Sequence, residues 1–285
     1  MKAYILVLTL FALCLFSSQK VFSQDETGIS IVNKMIERIS SIETVTYLLH
    51  KQERIGGKII EQNSFTKLDV DPFRVYLKEI LPKGGVEVLY VKGQNNERAI
   101  VNPDGFPWIN LKLDPKESLM RKDQHHTVHE SGFDHLMQIL KFLCEKYKTQ
   151  IDSMVLNNGT IKYNNLECYS ISMTNPYFGY MDYILKENES ILEIAQRYRV
   201  SEHMILEMND EIKGYNDLGN GQSIKIPTDY SSKLLLYIDK NKLLPLKMEV
   251  YDDKGLYEQY EFSDINVNIK ISEEEFSEDY EGYGF

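Results

Sequence analysis

The sequence predicts an α+β fold: an antiparallel sheet packed on helices and interrupted by a small strand–helix–helix–strand insert. Three observations predict it. Short segments of alternating polarity are separated by turn residues; amphipathic stretches stand at 28–40 and 133–148; and the strand pattern that stops near 180 resumes at once near 231. The resumed strands need partners from before residue 180. The segment between therefore reads as an insertion at a hairpin tip, where few contacts cross.

The chain opens on Lys2 and an apolar run over residues 4–16, too short to span a bilayer, with Val21-Phe22-Ser23 beyond it. This is the pattern of a signal peptide, with cleavage expected after Ser23 or one residue later and a periplasmic product. Cys14 follows Leu13 with no small residue before it, which does not fit a lipoprotein cleavage box. From Gly28 to Ser40, Ile29, Val32, Met35, Ile36 and Ile39 recur at helical spacing. Turn signals follow at Gly56-Gly57, Asp71-Pro72, Pro82-Lys83-Gly84-Gly85, Asn95-Asn96 and Pro103-Asp104-Gly105. Phe73, Val75 and Leu77 alternate with Arg74, Tyr76 and Lys78, as in a half-buried antiparallel strand. A helix is predicted over 133–148 with Leu136, Ile139, Leu140 and Leu143 inward, then strands near 160–164 and 167–173. After the insert, 234–238 is a strand and Leu246, Met248 and Val250 line one face of the next. Asp252-Asp253-Lys254-Gly255 is a hairpin turn, and the strand 257–262 returns. Residues 278–285 read as a mobile tail.

The insert has its own logic. Tyr183, Ile184 and Leu185 form a short strand; Ser190 and Glu193 are spaced as a capping box; Ile191, Ile194, Ala195 and Tyr198 give one apolar stripe. Ser201 caps a second helix carrying Ile205 and Met208, Asn209 ends it, and a loop with Gly214, Gly219, Asn220 and Gly221 leads to a closing strand at Ile224, Ile226 and Pro227. These residues, with Val200 and Gln222, hold the positions of a LysM module, which the segment 181–230 resembles. The resemblance implies binding to N-acetylglucosamine glycan such as peptidoglycan. It places the sugar groove between Asn188, Glu189, Ser190 and Ile191 on one side and Asn209, Asp210, Glu211 and Ile212 on the other. Asn188 stands where the family has glycine, and Glu189 where it has aspartate. Asn tolerates the left-handed backbone such a turn requires.

A second resemblance covers 24–180 and 231–277. The ending YIDKNKLLPLKMEVYDDKGLYEQYEFSDINVN, with Phe276 after it, is similar to the last strands of the lipoprotein carriers typified by LolA and LolB. HHTVHESGFDHL, residues 125–136, resembles the envelope family called domain of unknown function 1571. LolA-like membership implies a curved sheet, an incomplete barrel, around an apolar cavity for an acyl chain or lipoprotein.

Composition allows a sizeable core, with 42% hydrophobic and 26% charged residues. A net charge of −11 argues against nucleic acid and anionic membrane surfaces as partners. Cys144 and Cys168 are too few for a disulfide framework and read as satisfied thiols. The 19 tyrosines, and Phe106-Pro107-Trp108-Ile109 near a turn, suit sugar stacking or a lipid mouth but also ordinary sheet packing. His125, His126, His129 and His135, with Glu130 and Asp134, are zinc-ligand types. Adjacent His125 and His126 would point apart, however, and the step from His129 to His135 straddles Gly132. The run therefore reads as a solvated connector in which Glu130 or Ser131 caps a helix. The reading is a non-enzymatic envelope protein that needs no cofactor and holds no metal. The alternative is a cell-wall enzyme or metal-dependent hydrolase using the His125–His135 region.

Overall fold

A computed structural model describes residues 26–285 except 83, 213, 216, 217 and 220. The expected signal peptide, its cut after Ser23, and the turn residues Lys83 and Asn220 lie outside the described residues. Helix α1 (Gly28–Ser40) starts where the Thr27 side chain accepts from the Ser30 N–H, and it buries Ile31, Val32, Met35, Ile36 and Ile39 along one face. Six strands follow: β1 (Thr44–Ile55), β2 (Lys58–Asp69), β3 (Arg74–Leu81), β4 (Glu87–Val91), β5 (Ala99–Asn102) and β6 (Leu111–Leu113). Helix α2 (Asp134–Lys146) buries Leu136, Ile139, Leu140 and Leu143 as its spacing predicts. A single turn, α3 (Ile151–Met154), leads into β7 (Val155–Tyr163) and β8 (Leu166–Thr174).

The insert comes next, with β9 (Tyr180–Ile184), β10 (Glu189–Ser190), α4 (Ile191–Tyr198), α5 (Glu202–Met208), β11 (Leu218–Gly219) and β12 (Ser223–Pro227). The main sheet resumes with β13 (Lys233–Asp239), β14 (Pro245–Asp252) and β15 (Gly255–Val267).

Among the described residues, eleven strands form one antiparallel sheet in the order β6-β5-β4-β3-β2-β1-β15-β14-β13-β8-β7. Its two runs of hairpins meet where β1 pairs with β15, with Leu49 opposite Phe262 and Glu53 opposite Glu258. Register shifts interrupt five of the pairings, β1/β15, β2/β3, β7/β8, β13/β14 and β14/β15. Such bulges bend strands and increase local twist. The sheet is accordingly curved, an incomplete barrel with β6 and β7 at its open edges. Its main core joins α1 and α2 to Ile171, Leu236, Ile238 and Tyr257, all essentially inaccessible to solvent.

The strand pleat sorts residues between two cores. Val75, Tyr90, Ala99 and Val101 face the main core, while their neighbours Tyr76, Leu89 and Ile100 meet Phe276 on the opposite face. The last residues cover that second face. The Tyr283 ring stacks on Tyr76 with centroids 3.7 Å apart. The Gly284 N–H donates to Glu87 at 2.8 Å, and the Gly284 carbonyl accepts from Asn102 at 2.6 Å. Residues 278–285 are therefore packed rather than a mobile tail, because the aromatic side of β3–β5 gives them a surface to cover.

The insert interrupts a hairpin, since β8 and β13 on either side of it pair directly. Within it β9 pairs with β12, and Leu185, Ile191, Ile194, Ile205, Ile224 and Ile226 form a separate small core. Contacts with the main domain are more extensive than insertion at a hairpin tip implies. The Ser201 hydroxyl lies 2.7 Å from the Tyr257 hydroxyl, Glu202 pairs with Arg121 at 3.2 Å, and Met204 belongs to the main core. Glu207 accepts from the Gly56 N–H at 3.1 Å. Helix α5 is thus a docked face. Cys144 and Cys168 are both free thiols. Among the described residues, no helix is long and apolar enough to cross a membrane.

Tyr283→Ala removes a stacked, partly buried ring and is expected to destabilise the protein by about 1–3 kcal/mol, read as a lower midpoint in thermal or urea unfolding. An unchanged midpoint would show that the tail is not held by Tyr76.

Candidate functional site

Inside the curved sheet, beneath α2, lies a cavity of about 440 Å³, within the roughly 300–1,000 Å³ typical of ligand pockets. Leu49, Val88, Leu111 and Leu113 line one side, and Leu136, Ile139, Leu234 and Met248 line the other. Leu49, Val86, Val88, Leu111 and Leu113 point inward yet are only half-buried, so the sheet interior is not filled by its own side chains. Leu119 lines the cavity and is 61% exposed, which marks an opening to solvent. Pro103, also in the wall, starts the β5–β6 loop on which Phe106 and Trp108 are 86% and 79% exposed.

One end of this cavity is polar. The β1–β15 register sets Glu53 beside Glu258, both 1% exposed. Like charges placed opposite one another on a sheet repel, and buried carboxylates need partners. The partners come from four elements. Tyr260 on β15 donates to Glu53 and lies 3.3 Å from Glu258. Tyr230, between the insert and β13, donates to Glu258 at 2.8 Å. Lys51 on β1 reaches Glu53 at 3.2 Å. The segment between β6 and α2 supplies the rest. The His125 N–H donates to Glu53 at 3.1 Å, His125 Nδ1 lies 2.9 Å from Glu258, and His126 Nε2 lies 3.2 Å from the same Glu258 oxygen.

Burial alone would raise the Glu258 carboxyl, but the His126 and His125 rings hold it well below the usual range. Glu53, pushed up by burial, is brought below its ordinary value by Lys51, His125 and His126. Burial pushes His126 down, and the charges of Glu258 and Glu130 carry it well above the ordinary histidine value. Burial and the neighbouring His126 lower His135 to about 4.

The polar run is therefore neither solvated nor splayed. His125 is fully buried, and both it and its neighbour His126 reach Glu258, because the chain here is a loop without strand alternation. Glu130 closes a capping box with Thr127 across the 3-10 turn Val128–Glu130, accepting from the Thr127 N–H at 2.7 Å. Helix α2 itself starts after Phe133 with no side-chain cap, so neither Glu130 nor Ser131 caps that helix as expected. Gly132, which the sequence reading treated as separating the histidines, is what brings them together. At φ +86° it turns the chain into α2, its N–H donates to the Tyr47 hydroxyl at 2.9 Å, and a Cβ there would meet Leu68 at 2.6 Å. That turn returns His135 to within 3.5 Å of Glu130, with its ring centroid 4.8 Å from that of His126. His129 points elsewhere, edge-on to Tyr90. Asp134 binds Gln138 on the exposed side of α2.

Sequence reasoning missed Glu53, Tyr230, Glu258 and Tyr260. Glu258, Tyr260 and Phe262 alternate along β15 and so share one face, a pattern visible in the sequence. Glu53 needed the strand register.

On the insert, the eight residues expected at a sugar groove divide. Asn188 is exposed with φ +58°, the left-handed turn expected of it. Ser190 caps α4, accepting from the Glu193 N–H at 3.3 Å. Ile191 is in the insert core. The Asn209 amide donates to the carbonyls of Ile205 and Lys225 and accepts from the Lys225 N–H, tying α5 to β12. Asp210 and Glu211 are exposed and Ile212 is half-buried. Glu189 is 5% exposed; it accepts from the Tyr183 hydroxyl at 2.8 Å and the Lys186 N–H at 3.2 Å, and pairs with Arg197 at 2.6 Å.

Residues 42–211 match the family described as a protein of unknown function, DUF1571, and the chain belongs to it. No curated protein matches. Among solved structures the chain is similar to MucB in its complex with MucA from Pseudomonas aeruginosa (12% identity, 88% of this chain and 60% of that one, TM-score 0.42). It is similar also to the Mycobacterium tuberculosis lipoprotein LppX (11%, 86% and 98%, TM-score 0.40) and to a LolA superfamily protein from Nitrosomonas europaea (11%, 90% and 99%, TM-score 0.34). Likeness of this degree says nothing about what the chain binds.

Burial would raise the Glu189 carboxyl, but the Lys186 N–H, Tyr183 and Arg197 lower it below 4.5. A folded-state pKa below the unfolded one contributes stability that is present above about pH 4.5 and lost as pH falls through the folded value. Acidification below about pH 4.5 is therefore expected to destabilise the wild type more than Glu189→Gln, measured by thermal melts across that range. Parallel losses in the two proteins would contradict this.

Proposed function

We propose that this protein is a non-enzymatic, exported envelope protein that holds an acyl chain, of a lipid or a lipoprotein, inside its curved sheet. The observation that carries this reading is the half-filled interior: a cavity of about 440 Å³ with inward-facing aliphatic residues that remain partly accessible. Unfilled apolar volume costs stability through lost packing and lost burial, and a chain of methylenes would restore both. The exposed Phe106 and Trp108, on the loop that starts at the cavity wall, suit an apolar ligand arriving from an interface.

Saturable binding of a fluorescent fatty acid to the purified protein is expected. Val88→Phe and Leu111→Phe, which place rings in the cavity, are expected to weaken it by about tenfold or more, the scale of 1.4 kcal/mol, with unfolding midpoints close to wild type. Absence of saturable binding by the wild type would end the reading.

A second reading, glycan binding by the insert, is favoured by its strand–helix–helix–strand order and by the left-handed turn at Asn188. Because α5 is docked on the main domain, deleting the insert would expose Tyr257 and take Met204 out of the main core, so surface substitutions are the cleaner test. The wild type is expected to sediment with peptidoglycan sacculi, and Asn188→Arg combined with Glu211→Arg to remain in solution. A wild type that stays in the supernatant would leave the insert as a structural element.

A further inference from the structure

We propose that His126, Glu130 and His135 form a binding site for one divalent metal ion of the zinc class at the polar end of the cavity. The site goes beyond the acyl-chain reading and does not depend on it.

Geometry comes first. One ligand atom from each of the three residues lies within 4.8 Å of the other two. His126 Nδ1 is 3.4 Å from one Glu130 oxygen, and His135 Nδ1 is 3.5 Å from the other. Tetrahedral zinc with bonds of about 2.0–2.1 Å holds its ligand atoms roughly 3.3–3.4 Å apart. Each imidazole thus already stands at about ligand spacing from one Glu130 oxygen, and drawing the three residues onto one ion takes a small side-chain adjustment.

Unsatisfied valence comes second. His126 Nδ1, the atom that faces Glu130, is buried without a hydrogen-bond partner, and buried polar atoms nearly always have one. On His135 the nitrogen without a partner is Nε2, and the one facing Glu130 is Nδ1. The other His126 nitrogen, Nε2, faces Glu258 at 3.2 Å. A proton held on Nε2 by that carboxylate would leave Nδ1, which faces Glu130, free to give its lone pair to an ion in exchange for its own proton. This is the outer-shell arrangement that orients metal-binding histidines. Thr127 orients Glu130 in the same way through its N–H.

An overlapping trio, Glu53, His126 and Glu258, is also close enough to share an ion. Its oxygens are already engaged: those of Glu258 by Tyr230 and His125, those of Glu53 by Tyr260, Lys51 and the His125 N–H. Those carboxylates therefore serve better as outer-shell partners. Charge supports a cation as well. Glu53, Glu130 and Glu258 gather three carboxylates, and among the described residues Lys51 is the only lysine or arginine in an ion pair with any of them. Two imidazoles and one carboxylate select zinc, nickel or copper over magnesium or calcium, and three protein ligands leave a coordination position open.

The test is calorimetric titration of untagged, chelator-treated protein with Zn²⁺, alongside X-ray absorption of the loaded wild type. One equivalent per chain is expected, with two imidazole nitrogens at the metal. Removing an outer-shell partner costs roughly 10–100-fold in affinity, so Glu258→Gln should weaken binding by about that factor and Glu130→Gln or His135→Asn by at least as much. His129→Gln, whose ring packs on Tyr90, should bind like wild type. Substoichiometric uptake by the wild type would overturn the proposal, as would wild-type affinity in both Glu130→Gln and His135→Asn. A spectrum with fewer than two imidazoles overturns it independently of whether any variant folds.

Discussion

Two carboxylates that the sheet register forces together underlie the arrangement of this molecule. β1 and β15 join the two halves of the sheet, and their pairing places Glu53 and Glu258 side by side in the interior. Neither position is tolerable alone, since a buried charge without partners costs several kcal/mol. The partners are shared between the two acids: Tyr260 contacts both, and His125 gives its N–H to one and its ring to the other. The long segment between β6 and α2 must therefore lie across this end of the sheet. Helix α5 of the insert must lie over that segment in turn, with His203 stacked on His125 at 4.5 Å and Ser201 bonded to Tyr257. The pair thus fixes the connector, and the connector fixes the insert.

Much of the fold was legible because strands and amphipathic helices announce themselves through local period. The faces of α1 and α2, the hairpin at 252–255 and the interruption of one hairpin by the insert all follow from neighbours in sequence. The site was less legible because its geometry is non-local. Adjacent histidines point apart in extended chain, but residues 125–126 are not extended, and Gly132 at positive φ folds the run back on itself. The tail was misread for a related reason. Its glycines and aromatics look mobile until the outer face of β3–β5 is known to carry the apolar side chains Tyr76, Leu89 and Ile100, which Tyr283 and Phe285 join Phe276 in covering.

The insert illustrates how one residue pattern serves two ends. Glu189, Ile191 and Asn209 stand at positions that the LysM resemblance assigns to a sugar groove, yet their side chains are engaged in holding the insert together. Any sugar contact from them would have to come through backbone groups. Asn188, Asp210 and Glu211 remain the side chains presented to solvent.

The family match ends at residue 211, three residues past α5 and before β12 has closed the insert. As a folding boundary that makes little sense, since β9 is paired only with β12. As a site boundary it is coherent. The matched stretch holds Glu53, His126, Glu130 and His135 of the polar end of the cavity, together with His125 behind them and the face of α5 that packs on His125. What it omits, Tyr230, Glu258 and Tyr260, is supplied by the strands that complete the sheet. The insert's first half therefore backs the polar end from behind: α5 and its cap pack on His125 through His203 and on Tyr257 through Ser201, without themselves lining the cavity.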